Sequence, residues 1–135
     1  MAKEWGLAEC FARFGCFGKN PRWSWSARSP DGKTIALALW TDRFSRKITP
    51  MTYQEATDRP PEWTNKPGNR ERLENLRWAM DHCGGLFRVV MVKAKNTEAD
   101  PREIAECFPR DALVMKVTDL NEATGTFRAV AVERA

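Results

Sequence analysis

The sequence predicts an α+β domain with a mixed, mainly antiparallel sheet of about five strands, able to curl into a partial barrel, and two to three helices. Three observations lead there. Two strand pairs flank turn signals, Ser29-Pro30-Asp31-Gly32 and residues 121–125, and separate stretches carry apolar residues at helical spacing. The alternating strand–helix rhythm of a dinucleotide fold is missing, as are a Gly-rich phosphate loop and a Walker lysine. With 135 residues the chain has the length of one domain, 1–135, with room for a single core.

Each element has its own signal. Trp5, Ala8, Phe11 and Ala12 place a helix over 3–14, and Gly15 ends it. Residues 22–28 alternate polar and apolar, residues 34–40 are β-branched and apolar, and together they read as a β-hairpin. Proline at the second turn position, Asp at the third and Gly at the fourth suit a type I turn with a left-handed Gly in a bulge. That turn sets Ser29 opposite Lys33, and so Ala27 opposite Ile35, Trp25 opposite Leu37 and Trp23 opposite Leu39. A loop one residue different reverses the faces, grouping Trp23, Trp25 and Trp40 apart from Ile35, Leu37 and Leu39. Residues 43–67, with Pro50, Pro60, Pro61 and Pro67, read as a long polar excursion holding at most a helical turn near 53–56.

Asn69 caps a helix running to Cys83, with Leu73, Leu76, Met80 and Cys83 on one face, and Gly84-Gly85 terminates it. The run Val89, Val90, Met91 and Val92 makes 86–95 a strand buried on both faces. Asp100-Pro101-Arg102-Glu103 has the form of a capping box and predicts a short helix to about 108. Residues 112–118 and 126–133 close the chain as a second hairpin.

Composition narrows the class of protein. Hydrophobic residues make up 42% and charged ones 30%, which suits a globular chain rather than a low-complexity or collagenous one. The longest apolar run is 35–40, too short to span a bilayer, and residues 1–5 lack the apolar stretch of a signal peptide, so a cytoplasmic location and no membrane partner are expected. The four cysteines, Cys10, Cys16, Cys83 and Cys107, contain no C-x-x-C pair and read as buried thiols; neither a metal nor another cofactor is expected.

Catalysis fares poorly. The single histidine, His82, sits near a helix end where it complements the dipole, and its neighbour Cys83 diverges from it by about 100° around a helix. The pairs Glu71 with Glu74 and Glu103 with Glu106 lie at helix starts, where acids are at home.

A binding role draws on the distribution of charge. The net charge is +4, yet between Arg13 and Lys47 eight basic residues face only Asp31 and Asp42. Lys19, Asn20 and Arg22 lead into the first hairpin, Ser24, Ser26 and Arg28 line its polar face, and Trp40, Arg43, Arg46 and Lys47 lead out. Arg and Ser donate to phosphate oxygens, Arg and Asn pair with base edges, and an exposed Trp, Trp40 being the candidate, stacks on a base. Asn69 and Arg70, with Arg72, offer a second phosphate contact at a helix start.

The stretch Lys19-Asn20-Pro21-Arg22-Trp23-Ser24-Trp25-Ser26-Ala27, then Leu39-Trp40-Thr41-Asp42 and Gly68-Asn69-Arg70-Glu71-Arg72, resembles an uncharacterised bacterial family. That family is associated with DNA-reading modules beside HNH nucleases in modification-dependent restriction. The resemblance covers most of the chain and implies a stand-alone DNA reader, a modified base among its targets, with cleavage supplied by a partner nuclease. A single histidine cannot furnish an HNH site.

The expectation is therefore a nucleic-acid-binding module for duplex DNA. The alternative is a protein-interaction module, a phage or plasmid inhibitor or an accessory subunit of another enzyme, anchored by Trp40, Trp63 and the Pro60-Pro61 loop.

Overall fold

The computed structural model describes residues 6–19, 24–45, 51–54, 67–98, 104–123 and 126–132. In chain order these form helix α1 (Leu7–Arg13), strands β1 (Ser26–Arg28) and β2 (Ile35–Trp40), and a 3₁₀ turn (Thr41–Arg43). Strands β3 (Phe44–Ser45) and β4 (Thr52–Gln54), helix α2 (Pro67–His82), and strands β5 (Leu86–Ala94), β6 (Ile104–Leu120) and β7 (Phe127–Val132) follow. The fold is α+β, as the sequence predicts.

The seven described strands make one open sheet in the order β1-β2-β5-β6-β7-β4-β3, with β2 and β5 parallel and every other pair antiparallel. The sheet has more strands than expected, and its described ends, β1 and β3, do not pair with each other to close a barrel. The two extra strands are β3 and β4, where the sequence suggested an irregular excursion with a helical turn. Tyr53 explains the difference: it is fully buried, stacks on Phe127 at 5.5 Å and meets Phe44 at 5.0 Å, and strand pairing with β7 supplies that packing.

Both faces of the sheet are covered. Ile35, Leu37, Leu39, Phe87, Val89, Met91, Met115, Val117, Phe127 and Ala129 share one face with Leu76 and Ala79 of α2. Ala27, Ala36, Ala38, Trp40, Val90, Val92 and Cys107 share the other with Cys10 and Phe11 of α1. Every residue of β2 is buried, and Val89 to Val92 are buried in succession, as a strand sandwiched between helices requires. Within α2 the buried face is turned from the expected one, for Leu76 and Ala79 are buried whereas Met80 is exposed.

The first hairpin forms in the reversed register. Ala27 lies opposite Ala36, Ser26 opposite Leu37 and Arg28 opposite Ile35, one residue away from the arrangement that a three-residue loop would set. The turn itself is the expected one, with the Gly32 N–H on the Ser29 carbonyl at 2.9 Å and Gly32 at φ +71. Side chains then take up one more residue. The Ser29 hydroxyl accepts from Thr34 N–H at 3.0 Å, Asp31 Oδ1 accepts from Lys33 N–H at 3.0 Å, and Ser29 N–H reaches the Thr34 carbonyl at 3.0 Å. Ser29 thus pairs with Thr34. Trp25 and Trp40 consequently pack together on the α1 face, ring centroids 5.5 Å apart, while Ser24 and Ser26 turn inward and are buried.

The short helix expected to about 108 is instead the start of β6, which runs unbroken in register terms from Ile104 beside Ala94 to Phe108 beside Met91, apart from one bulge. The capping box prompted the helix reading, and the bulge gives this part of the strand a helix-like spacing as well. Glu106 pairs with Lys93 and Ile104 with Ala94, so Ala105 is the extra residue, and Ile104 and Cys107 reach the same α1-facing cluster although three apart. A spacing of three imitates a helix. The capping-box residues themselves lie outside the described residues.

Candidate functional site

A polar seam between β1 and α2 brings together most of the described candidate residues. Residues 17–19 lie against the hairpin edge, with Phe17 and Arg28 exchanging backbone hydrogen bonds of 3.0 and 3.3 Å. Gly18 makes that approach feasible, since a Cβ there would sit 2.4 Å from Ser24 Cβ. Lys19 N–H then donates to Glu71 Oε2 at 2.6 Å, and its ammonium to Glu74 Oε2 at 2.7 Å.

One helical stripe holds the seam. Glu71, Glu74, Asn75 and Trp78 recur at the three- and four-residue spacing that puts them on one side of α2. Asn75 donates through Nδ2 to Ser26 Oγ at 2.7 Å and accepts through Oδ1 from Arg28 Nε at 3.1 Å. The Arg28 guanidinium lies 4.2 Å from the Trp78 ring centre, and Trp78 Nε1 donates to the Gly32 carbonyl at 2.7 Å. Deeper in, Asn69 Oδ1 accepts from Arg72 Nη2 at 3.2 Å, and Arg72 sits 5.3 Å from the Phe127 ring.

Charge is concentrated at the outer end of the seam. Lys19 and Glu74 form a mostly exposed ion pair, and the hydrogen bond from Lys19, helped by the fields of Arg28 and Arg70, holds the Glu74 carboxyl below its ordinary range. Glu71 is only 4% exposed, and its Oε1 is buried without a hydrogen-bond partner. No acid occupies the first turn of α2, and Glu71 and Glu74 follow in the next.

The candidate residues therefore divide. Lys19 and Arg70 are exposed at this corner, Arg28 is half-buried within it, and Arg43 is half-buried in the 3₁₀ turn after β2. Ser24, Ser26 and Asn69 are buried, so the hairpin does not present an open polar face: α2 covers it. Trp40, expected to be exposed, is 9% exposed and packed on Trp25. Asn20, Arg22, Arg46 and Lys47 lie outside the described residues, as do Trp63, Pro60 and Pro61. Glu71 and Asn75 are the residues that sequence reasoning missed: an acid near a helix start already has a dipole explanation, and Asn75 belongs to no apolar pattern. The available signal was the recurrence of Glu71, Glu74, Asn75 and Trp78 beside an equally polar β1.

Elsewhere, the Trp78 and His82 rings meet at 4.0 Å with their planes tilted by 37°, and among the described residues no three His, Cys, Asp or Glu side chains are grouped to hold a metal ion. No helix among them is long and apolar enough to cross a membrane. Comparison with protein-family models, characterised proteins and solved structures finds no match.

Proposed function

We propose that this chain is a nucleic-acid-binding module, with duplex DNA as the preferred ligand, and that its contact surface is the corner where residue 19 meets the first turns of α2. One observation carries the reading: Lys19, Arg28 and Arg70 all act on the exposed carboxylate of Glu74, beside a first helical turn that holds no acid. Cations and a positive helix end are what a phosphate backbone meets. The basic surplus between Arg13 and Lys47 and the resemblance to DNA-reading modules, a modified base among their targets, support it further.

The role of the first hairpin changes within this reading. Arg28 belongs to the frame that sets the corner, through Asn75 and Trp78, rather than to a free contact face. Arg70 is the residue for the binding test, being exposed on a helix side away from the sheet.

Fluorescence anisotropy with methylated and unmethylated random duplexes, at low and physiological salt, tests the proposal. Binding should weaken steeply with salt, and Arg70→Ala should weaken it for every sequence while lowering the salt slope by about 1. Absence of binding at low salt would refute it.

A specific observation favours a protein partner as the second reading. Phe17 is 60% exposed and lines, with Leu7, Ala8, Phe11, Gly18 and Ser24, a mainly apolar cavity of about 230 Å³. Under that reading Phe17→Ala, and not Arg70→Ala, removes partner binding.

A further inference from the structure

Of the four cysteines, two face each other. Cys10, buried on α1, and Cys107, buried on β6, place their sulfurs 3.8 Å apart although 97 positions separate them in the chain. The other two are engaged with backbone: Cys16 Sγ lies 3.6 Å from the Phe14 carbonyl and 3.5 Å from that of Thr34, and Cys83 Sγ lies 3.6 and 3.5 Å from those of Gly32 and Lys33. A disulfide needs its sulfurs at about 2.05 Å, so the Cys10–Cys107 gap must close by roughly 1.8 Å. Arg13, one turn further along α1, makes two 3.3 Å contacts to the Asp111 carboxylate in β6, so the same two elements are already tied beside the cysteines.

We propose that Cys10 and Cys107 form a reversible disulfide that clasps α1 to β6 when the protein meets a peroxide. The inference stands apart from the nucleic-acid reading and rests on a different face of the sheet. Cys107, the less buried of the two, is the entry point. Its sulfur, as thiolate, attacks one oxygen of hydrogen peroxide; the O–O bond breaks, hydroxide leaves and takes up a proton as water, and Cys107 becomes a sulfenic acid. The Cys10 sulfur then attacks the Cys107 sulfur, the S–OH bond breaks, and a second water leaves. Two thiols and one peroxide give one disulfide and two waters, the thiols losing two electrons and the peroxide gaining them.

Burial holds the Cys107 thiol above its ordinary range, with the contact to Cys10 opposing that rise, so the reaction is slow at neutral pH and faster at alkaline pH. Burial pushes the Cys16 thiol up to about 11, which leaves it less reactive still. The clasp would close a loop spanning 97 of the 135 positions, and a cross-link over a long loop is the one that most restricts the unfolded ensemble. It would also anchor α1, which provides Leu7, Ala8 and Phe11 to the apolar cavity.

The test treats the intact protein with hydrogen peroxide, blocks remaining thiols and maps peptides without reduction. A linked pair containing Cys10 and Cys107 is expected, reversed by dithiothreitol, with a melting temperature raised by about 10 °C. Cys10→Ala should leave Cys107 to stop at sulfenic or sulfinic acid and show no such rise. Links through Cys16 or Cys83, no link while circular dichroism still reports the native fold, or a lower melting temperature in the linked protein would each overturn the proposal.

Discussion

At the scale of single residues, the seam between β1 and α2 depends on Asn75. Its amide both donates to Ser26 and accepts from Arg28, so one side chain satisfies a fully buried hydroxyl and orients a guanidinium. Asn75→Ala should therefore destabilise the fold by about 2–4 kcal/mol, since it strands both partners, and urea unfolding would measure this. The carboxylates add a pH dependence. Hydrogen bonds from Ser29 and Lys33 lower the Asp31 carboxyl, and that from Lys19 lowers Glu74. A carboxyl lowered by folding stabilises the native state above its unfolded pKa, and that contribution disappears as pH falls through the folded value. Glu74→Gln should accordingly lower the melting temperature at neutral pH, with the gap to wild type closing below about pH 4. Both groups are exposed, so the effect is small.

At the scale of elements, β5 was the most legible part of the chain and β6 the least. Val89, Val90, Met91 and Val92 announce a strand with both faces covered, and β5 indeed lies between β2 and β6 with helices on either side. The first part of β6 carries helix-like spacing and follows a capping box, but local capping is worth only about 1 kcal/mol. Pairing with β5 supplies backbone hydrogen bonds and buries Cys107 at once. The same strand bulges where residues 110–113 separate the partners of Arg88 and Val90, bringing Asp111 to Arg13. Native-state hydrogen exchange checks this ranking: amides of β5 should exchange slowest, whereas those of β3 and of β6 before Pro109 should exchange faster. Helical protection over 104–108 would contradict it.

At the scale of the whole molecule, the candidate site exists because α2 connects β4 to β5 and lies across β1 and β2. Its last turn is pinned at the hairpin tip by Trp78 on Gly32, and its first turns reach residue 19. Lys19 and Arg70 come together only through that placement, being 51 positions apart in the chain. Part of the basic surplus is neutralised by the fold itself, as Arg13 pairs with Asp111, Lys19 with Glu74 and Arg77 with Glu122. Total charge therefore says less about a phosphate-facing surface than the position of Arg70 and the acid-free first turn of α2.

The amino-acid sequence by itself determined the α+β class, the central buried strand, both hairpins and the glycine-ended helices, because turn chemistry and side-chain periodicity act over a few neighbouring residues. Tertiary structure decided which face each hairpin residue occupies. Ser29 and Asp31 lengthen the loop by one residue, and a shift of one residue in a strand exchanges its two faces. It also decided that Ile104 to Phe108 is strand, that Ser24, Ser26 and Trp40 are buried, and that Cys10 meets Cys107. These outcomes depend on partners from distant parts of the chain, whose packing outweighs the modest preferences that a local stretch expresses alone.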